Sequence, residues 1–254
     1  MKKLLAITAL SAALFFGQTA VAEEKAAEEV KPSHVEMVLV LDESGSMSDL
    51  TRDTIGGFNS MIEKEKKLDV DAHVTTVLFN DQYKMLYNRR ELKDVRKMTD
   101  KDYTPGGMTA LLDAVGRTIH KMDMVSGIHR KDKGNKVLFV IITDGEENDS
   151  REYTYADVKK LIKDRQENAG WEFIFLGANI DAAAAAENLG IDRDRAVKYK
   201  NTGSGVRANF KAVAELSDSL AKSGRVSDRW KETVEKDEDD AADKQSAAVT
   251  SHRR

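Results

Sequence analysis

The chain has 254 residues, of which 41% are hydrophobic and 33% are charged, so it is long enough to bury a core beneath a well-solvated surface. Its formal net charge is -4, which argues against a protein that coats nucleic acid, because phosphate binding normally needs a basic excess. The absence of cysteine excludes disulfides, thiolate zinc sites, iron–sulfur clusters and a cysteine nucleophile.

The first 22 residues have the pattern of a signal peptide. Two lysines at the start precede an apolar stretch over 4–16, and Ala20-Val21-Ala22 forms an A-x-A cleavage pattern. The apolar stretch is too short to span a bilayer as a helix. We therefore expect cleavage after residue 22, a periplasmic or secreted mature chain, and no stable membrane insertion afterwards. The alternative is an uncleaved anchor or a helix of the protein core.

Strand and helix patterns alternate over most of the mature chain. Apolar runs predict five strands, the third of which follows the second after only two residues, as in a hairpin: 35–41, 72–79, 82–87, 136–143 and 171–176. Helical spacing fills the gaps, with a capping box at Thr154 and Asp157 and a helix cap at Asp181. This order predicts an α/β fold, a Rossmann-like open and mostly parallel sheet with one antiparallel edge strand and helices on both faces.

Three segments of the mature chain differ in composition. Residues 23–34 are charged and rich in alanine, which indicates a flexible lead-in, and residues 35–222 hold all the periodic patterns of one domain. Residues 223–254 have many charges and few large apolar side chains, and for them we expect a disordered or frayed helical tail.

Oxygen-bearing side chains follow two of the buried strands. Asp42, Ser44 and Ser46 come after the first strand as D-x-S-x-S, Asp144 comes after the strand over 136–143, and Thr109 lies in a glycine-rich loop before a helix. Because loops at the carboxyl ends of parallel strands meet, these side chains can point at one centre. Hard divalent cations prefer such oxygen ligands. The alternative is that the serines and Asp42 only cap and shape the next helix.

On these residues the sequence resembles the von Willebrand factor type A domain family, over about residues 35–220. The stretches DESGSM, TALLDAVG and ITDGEEN are similar to a bacterial branch of that family. The resemblance implies its metal-ion-dependent adhesion site (MIDAS), in which Mg²⁺, or alternatively Mn²⁺ or Ca²⁺, takes these ligands: Asp42, Ser44, Ser46, Thr109 and Asp144. It also implies a partner protein whose Asp or Glu completes the metal shell.

Three functions follow as hypotheses, and the leading one is an exported, metal-dependent adhesion or scaffold module that is not an enzyme. One rival is a metal-assisted hydrolase or phosphoesterase using Asp42 or Ser44, against which the chain lacks G-x-S-x-G, P-loop and H-E-x-x-H motifs. The other is a metal-free structural interaction protein. None of the three involves nucleic acid.

Two further groups of residues are expected to be unrelated to metal binding. The histidines are scattered without metal-ligand spacing and are expected to be structural or on the surface: His34, His73, His120, His129 and His252. Acidic residues near the predicted site are expected in solvated loops, the alternative being that they tune the charge presented to the ion or to a partner: Glu43, Glu146, Glu147 and Asp149.

Overall fold

The computed structural model describes residues 34–68, 71–125, 135–227 and 229–237. The predicted signal peptide, nearly all of the lead-in and the end of the predicted tail lie outside the described residues. Within them, no helix is long and apolar enough to cross a membrane.

The described strands form one six-stranded sheet in the order β3-β2-β1-β4-β5-β6. Their bounds are β1 His34–Asp42, β2 Ala72–Phe79, β3 Tyr83–Glu91, β4 Asn135–Thr143, β5 Glu172–Gly177 and β6 Ala196–Lys198. Only β3 runs antiparallel, and it lies at one edge, paired with β2. The predicted α/β fold with one antiparallel edge strand is therefore confirmed. The sequence analysis missed β6, because three residues are too few to show a period.

In the part of the chain that the structure describes, five helices of eight residues or more cover the two faces of the sheet: α1 Thr51–Glu65, α2 Leu111–Asp123, α3 Tyr155–Asp164, α4 Ala182–Leu189 and α5 Gly203–Ser223. The apolar side chains of β1 alternate between these faces. Met37, Leu39 and Leu41 pack with α1 and α5, whereas Val38 and Val40 pack with α2, α3 and α4. Burial on both faces explains why β1 and β4 are continuous apolar runs. The capping box at Thr154 and the cap at Asp181 are both present.

Packed residues continue past the predicted end of the domain at residue 222. Helix α5 ends at Ser223 and is capped by Gly224, which has a φ of 69°. Beyond it, Trp230 and Val234 are buried in the same core cluster as α1 and α5, and the Trp230 indole N–H donates to the Asp194 carbonyl oxygen at 3.2 Å. The first part of the predicted tail is thus anchored by three apolar side chains spaced four residues apart, Val226, Trp230 and Val234.

The loops that follow β1 and β4 set the position of the predicted site. Both strands end at the same end of the sheet, at Asp42 and Thr143, and we call this the carboxyl end of the sheet. The opposite end, where β1 and β4 begin at His34 and Asn135, is the amino end.

Candidate metal centre

Three loops are joined through their backbones at the carboxyl end of the sheet. The Gly45 N–H donates to the Gly107 carbonyl at 3.2 Å, and the Gly106 N–H donates to the Glu43 carbonyl at 2.9 Å. On the other side, the Asn148 N–H donates to the Thr109 carbonyl at 3.0 Å. The glycine-rich loop therefore lies between the loops that follow β1 and β4, as the sequence pattern predicted.

Gly107 allows this close approach. Its φ of 75° lies in the left-handed region, and a side chain at this position would collide with the Asp81 carboxylate. The positive φ therefore favours glycine at this position, and any larger residue would also have to move the Asp81 side chain.

Four of the five predicted ligands form one hydrogen-bonded group. The Ser46 hydroxyl donates to Asp144 Oδ1 at 2.5 Å, across 98 positions of sequence, and Ser44 Oγ lies 3.1 Å from Ser46 Oγ. The Ser44 backbone N–H donates to Asp42 Oδ1 at 2.7 Å. Asp42, Ser44 and Asp144 are buried, whereas Ser46 is exposed and stands at the mouth of the group.

Thr109 lies beside this group. It is 4% exposed, and its hydroxyl oxygen is 3.7 Å from the point that a Cβ on Gly145 would occupy, so it faces the residue after Asp144. Its backbone N–H donates to Asn148 Oδ1 at 2.8 Å. Among the described residues, its hydroxyl makes no hydrogen bond to the other four predicted ligands. The preceding Met108 is 51% exposed, so the loop presents an apolar side chain to solvent directly beside the site.

The interpretation of D-x-S-x-S as a helix cap explains only part of this geometry. Ser44 precedes a 3₁₀ helix, Gly45–Leu50, but its side chain makes no capping hydrogen bond, and the residue before α1 is Leu50. Asp42 does shape the turn through the Ser44 N–H. The serine hydroxyls instead point at each other and at Asp144.

The electrostatics of the group favour a cation. Burial raises the pKa of the Asp42 carboxyl, and the nearby charge of Asp144 raises it further. Hydrogen bonds from Ser44 and Thr143 lower it, but they do not outweigh the effect of burial. Within the described part of the chain, no basic side chain pairs with Asp42 or Asp144. Two buried carboxylates and several hydroxyls are the donor set that hard divalent cations prefer, so the residues present fit such an ion.

Further residues hold the two carboxylates, and the sequence analysis did not identify them. The Thr143 hydroxyl donates to Asp42 Oδ2 at 2.6 Å, and the Asn201 side-chain amide donates to Asp144 Oδ2 at 3.2 Å. The Tyr103 hydroxyl donates to the Asp42 carbonyl at 2.6 Å. Thr143 could have been found from its place at the end of a buried strand, but Asn201 had no signal in the sequence.

Two acidic residues expected in solvated loops are held in place. Glu43 is 4% exposed and accepts hydrogen bonds from the Thr104 backbone and side chain. Glu147 accepts from the Leu112 N–H at 2.9 Å, in the first turn of α2. The expectation was wrong for Glu43, which is buried, whereas Glu147 is half-buried in the loop after β4. Each carboxylate accepts hydrogen bonds from backbone donors in α2 or in the loop before it.

Comparison with known proteins places the fold. The model of the family described as "vWA-TerF-like: vWA found in TerF C terminus" matches residues 34–190. No curated protein matches. Among solved structures, proximal thread matrix protein 1 from the mussel byssus has a TM-score of 0.55 at 12% identity, covering 74% of this chain and 47% of that one. Another structure of that protein is described as having a zinc-occupied MIDAS motif, with a TM-score of 0.50.

Two bacterial structures are similar to the same degree. The D319A mutant of the PilB minor pilin from Streptococcus sanguinis has a TM-score of 0.52 at 13% identity, covering 74% of this chain and 62% of that one. The vWF domain of the type V pili tip protein Mfa5 from Porphyromonas gingivalis has a TM-score of 0.50 at 13% identity, covering 78% of this chain and 99% of that one. At these identities the likeness concerns the fold alone. The chain spans less than half the length of the mussel protein.

Proposed function

This chain belongs to the von Willebrand factor type A family, and on that premise we propose that it is an exported, metal-dependent binding module of the adhesion or scaffold kind. Five residues would hold one divalent cation, Mg²⁺ or alternatively Mn²⁺ or Ca²⁺: Asp42, Ser44, Ser46, Thr109 and Asp144. When bound, the cation supplies a positive centre that accepts an Asp or Glu carboxylate of a partner protein.

The observation that carries this proposal is the hydrogen bond between Ser46 and Asp144, at 2.5 Å. It brings the loop after β1 and the loop after β4 to one point, with the buried Asp42 beneath it. Two carboxylates this close repel each other, and a divalent cation removes that repulsion. The hydroxyls add oxygen ligands without adding charge, so they leave the ion able to attract a third carboxylate.

The surroundings of the site support a protein partner. Ser46 and Met108 are exposed at its mouth, so a partner carboxylate can reach the centre while an apolar side chain of the partner packs on Met108. The Thr143 and Asn201 side chains fix the orientation of Asp42 and Asp144. We assign no catalytic residue, and the similar structures are named as matrix, pilin and pilus-tip proteins.

Export is supported by the signal-peptide pattern over residues 1–22. Two of the similar bacterial structures are a pilin and a pilus-tip protein, which accords with a mature chain in the periplasm or outside the cell.

Calorimetric titration of chelator-treated protein with Mg²⁺ and Mn²⁺ tests the metal site. We expect uptake of one ion by the unsubstituted protein and no uptake by Asp144→Asn. Asp149→Asn is the matched control, because it makes the same change in the same loop, where Asp149 pairs with Arg151 at 3.1 Å instead of facing Ser46. Equal affinity of the Asp144→Asn and unsubstituted proteins would overturn the assignment.

Partner binding is tested with the same three proteins immobilised and exposed to exported proteins, in Mg²⁺ or in chelator. We expect retention of a partner only by the unsubstituted and Asp149→Asn proteins in Mg²⁺. Retention that is equal in chelator would favour the metal-free interaction protein. Turnover of a phosphoester that disappears in Asp144→Asn would favour the hydrolase.

A further inference from the structure

A second cluster of metal-ligating side chains lies at the amino end of the sheet. His34 and Glu36 are two positions apart on β1, so they lie on the same face, and His73 pairs with Glu36 in the register of β1 and β2. The His34 and Glu36 side chains are 13% and 3% exposed, and that of His73 is 26% exposed. The three are therefore held in place at a position that solvent can reach.

The ligand atoms form a compact triangle. His34 Nε2 lies 2.9 Å from Glu36 Oε1 and 2.8 Å from His73 Nδ1, and His73 Nδ1 lies 3.4 Å from Glu36 Oε1. Ligands at about 2.0–2.2 Å from a tetrahedral Zn²⁺ stand roughly 3.4 Å apart. The triangle is thus close in size to one face of a zinc tetrahedron, and small movements of side-chain ends would complete the fit.

The outer neighbours of the triangle also suit a metal. His34 Nδ1, the ring nitrogen that points away from the cluster, lies 3.2 Å from Asp71 Oδ2. A carboxylate on the far ring nitrogen is the usual partner of a metal-bound histidine, because it keeps the proton on that nitrogen and aims the other lone pair at the ion. The Arg89 guanidinium can only donate, so His73 Nδ1, which lies 3.3 Å from its Nη2, is an acceptor with its lone pair in this region. The same Nη2 donates to Glu36 Oε1, so a metal ion would have to displace it from both atoms.

Without a metal ion, one of the three ligand atoms must carry a proton, because two acceptors cannot hydrogen-bond to each other. Since His73 Nδ1 and the Glu36 carboxylate both accept, His34 Nε2 must be the donor between them. A metal ion would replace this shared proton and would compete with Arg89 for Glu36.

We propose that His34, Glu36 and His73 form a second metal site, selective for Zn²⁺ or a similar transition-metal ion, with Asp71 as a positioning residue. Two imidazoles and one carboxylate favour such ions over Mg²⁺. Three protein ligands leave a fourth position for water, and the ion would join the amino ends of β1 and β2. Asp42 lies six residues from Glu36 along β1, about 20 Å away, so the two sites would fill independently.

The experiment uses the Asp144→Asn protein, so that zinc bound at the carboxyl end of the sheet does not contribute. After chelator treatment, Zn²⁺ affinity is measured by competition with a chromophoric chelator. We expect one bound ion, a loss of affinity of at least tenfold in His73→Gln and His34→Gln, and roughly tenfold in Asp71→Asn. His120→Gln is the matched control, because His120 lies on α2 with its side chain 55% exposed, and we expect no change in it.

A second measurement leaves the three cluster residues unsubstituted, so it does not depend on whether their variants fold. In the same Asp144→Asn protein, ¹⁵N spectra of the histidine rings should show Nε2 of His34 and Nδ1 of His73 shifting when one equivalent of Zn²⁺ is added, with the ring of His120 unmoved. Absence of zinc binding, or binding that leaves both nitrogens unmoved, would overturn the proposal. Neither result would bear on the Mg²⁺ site proposed above, which is tested with unsubstituted protein.

Discussion

Strand β1 carries a buried carboxylate near each of its ends, and the two differ in opposite directions from their ordinary pKa values. Burial raises the pKa of Glu36, but hydrogen bonds from His34 and Arg89 outweigh it, and the pKa falls to about 2. Burial raises the pKa of Asp42 as well, and there the nearby charge is the anion Asp144, so the pKa stays raised. The difference shows that similar burial has opposite consequences depending on the charge of the neighbours.

The same contrast describes what each end of the sheet can bind. The amino end already holds protein cations around its carboxylate, and its other potential metal ligands are ring nitrogens. The carboxyl end gathers oxygen donors and two anions. The structure therefore arranges a cluster suited to a transition-metal ion at one end and a cluster suited to a hard cation at the other.

The largest expected effect is at the amino end. Because the folded pKa of Glu36 is about 2 and its ordinary value is 4.5, its ionised form stabilises the fold above pH 4.5, and this contribution is lost as the pH falls towards 2. Glu36→Gln should lower the free energy of unfolding at pH 7 by about 3 kcal/mol. Urea unfolding at pH 7 and pH 3 should show the difference from unsubstituted protein shrinking in acid.

Glu91→Gln is the control for this change. Glu91 lies opposite His73 in the pairing of β2 and β3 and forms an exposed ion pair with Lys93 at 2.6 Å. We expect no measurable change in its unfolding, because exposed pairs contribute little. A Glu36→Gln protein as stable as Glu91→Gln at pH 7 would show that the ionised Glu36 carboxylate does not stabilise the fold.

Glu65 shows what burial does without a compensating cation. Its side chain lies between α1 and α5, where Oε2 accepts from the Ser217 hydroxyl at 2.6 Å and Oε1 has no partner among the described residues. Burial raises its pKa to about 7. The penalty of the ionised form is therefore absent below pH 4.5, grows as the pH rises towards 7, and is complete above it.

Glu65→Gln should accordingly raise the free energy of unfolding at pH 8, by up to about 3 kcal/mol, and leave it unchanged at pH 4. The exposed Glu63→Gln, two residues away on the same helix, should change neither value. Denaturant unfolding of the two variants at both pH values measures this, and a Glu65→Gln protein that is less stable at pH 8 would contradict the assigned pKa.

The carboxyl end should respond to a divalent ion. Free Mg²⁺ at 100 times its dissociation constant should stabilise the unsubstituted protein by about 2.7 kcal/mol, whereas Asp42→Asn should show no response. Without the ion, Asp42→Asn should be the more stable protein at neutral pH, because it removes a buried charge that lies close to Asp144. Thermal unfolding with and without Mg²⁺ distinguishes the two effects. An Asp42→Asn protein that Mg²⁺ still stabilises would place the ion elsewhere.

The cluster at the carboxyl end of the sheet could be predicted from the sequence, whereas the cluster at the amino end could not. The carboxyl-end residues were predicted because Asp42, Ser44 and Ser46 are adjacent in a short pattern and Asp144 directly follows an apolar run. His34 and His73 are 39 residues apart, and only the register of β1 on β2 makes them neighbours. That register could be guessed only after the order of strands in the sheet was known.

The fold shows the same limit. Long apolar runs predicted β1 and β4, and the short break before β3 predicted its antiparallel pairing, because periodicity and turn length are local properties. Trp230 was placed in the predicted tail, since three apolar residues at a spacing of four, Val226, Trp230 and Val234, are too few among so many charges to predict a packed segment. Their burial depends on a surface built by distant parts of the chain.

The smallest expected effect concerns Thr143, which the sequence analysis did not identify. Its hydroxyl donates to Asp42 Oδ2 at 2.6 Å, and a hydrogen bond to a charged acceptor contributes about 1.5–3 kcal/mol. We expect Thr143→Val to destabilise the metal-free protein near the lower end of that range, because Asp42 keeps the Ser44 N–H. Its Mg²⁺ affinity should fall roughly tenfold, since an unsupported ligand is free to turn away from the ion.

Thr118→Val is the matched control for this last change. Thr118 is equally buried, but its hydroxyl donates to the Ala114 carbonyl in its own helix at 2.7 Å and lies 3.2 Å from the Tyr83 hydroxyl, away from the site. Its loss should cost about 1 kcal/mol and leave Mg²⁺ affinity unchanged. Unfolding and calorimetric titration of both variants separate general destabilisation from an effect on the site. If both variants lose affinity equally, Thr143 contributes only to packing, and the support of Asp42 must come from Ser44 alone.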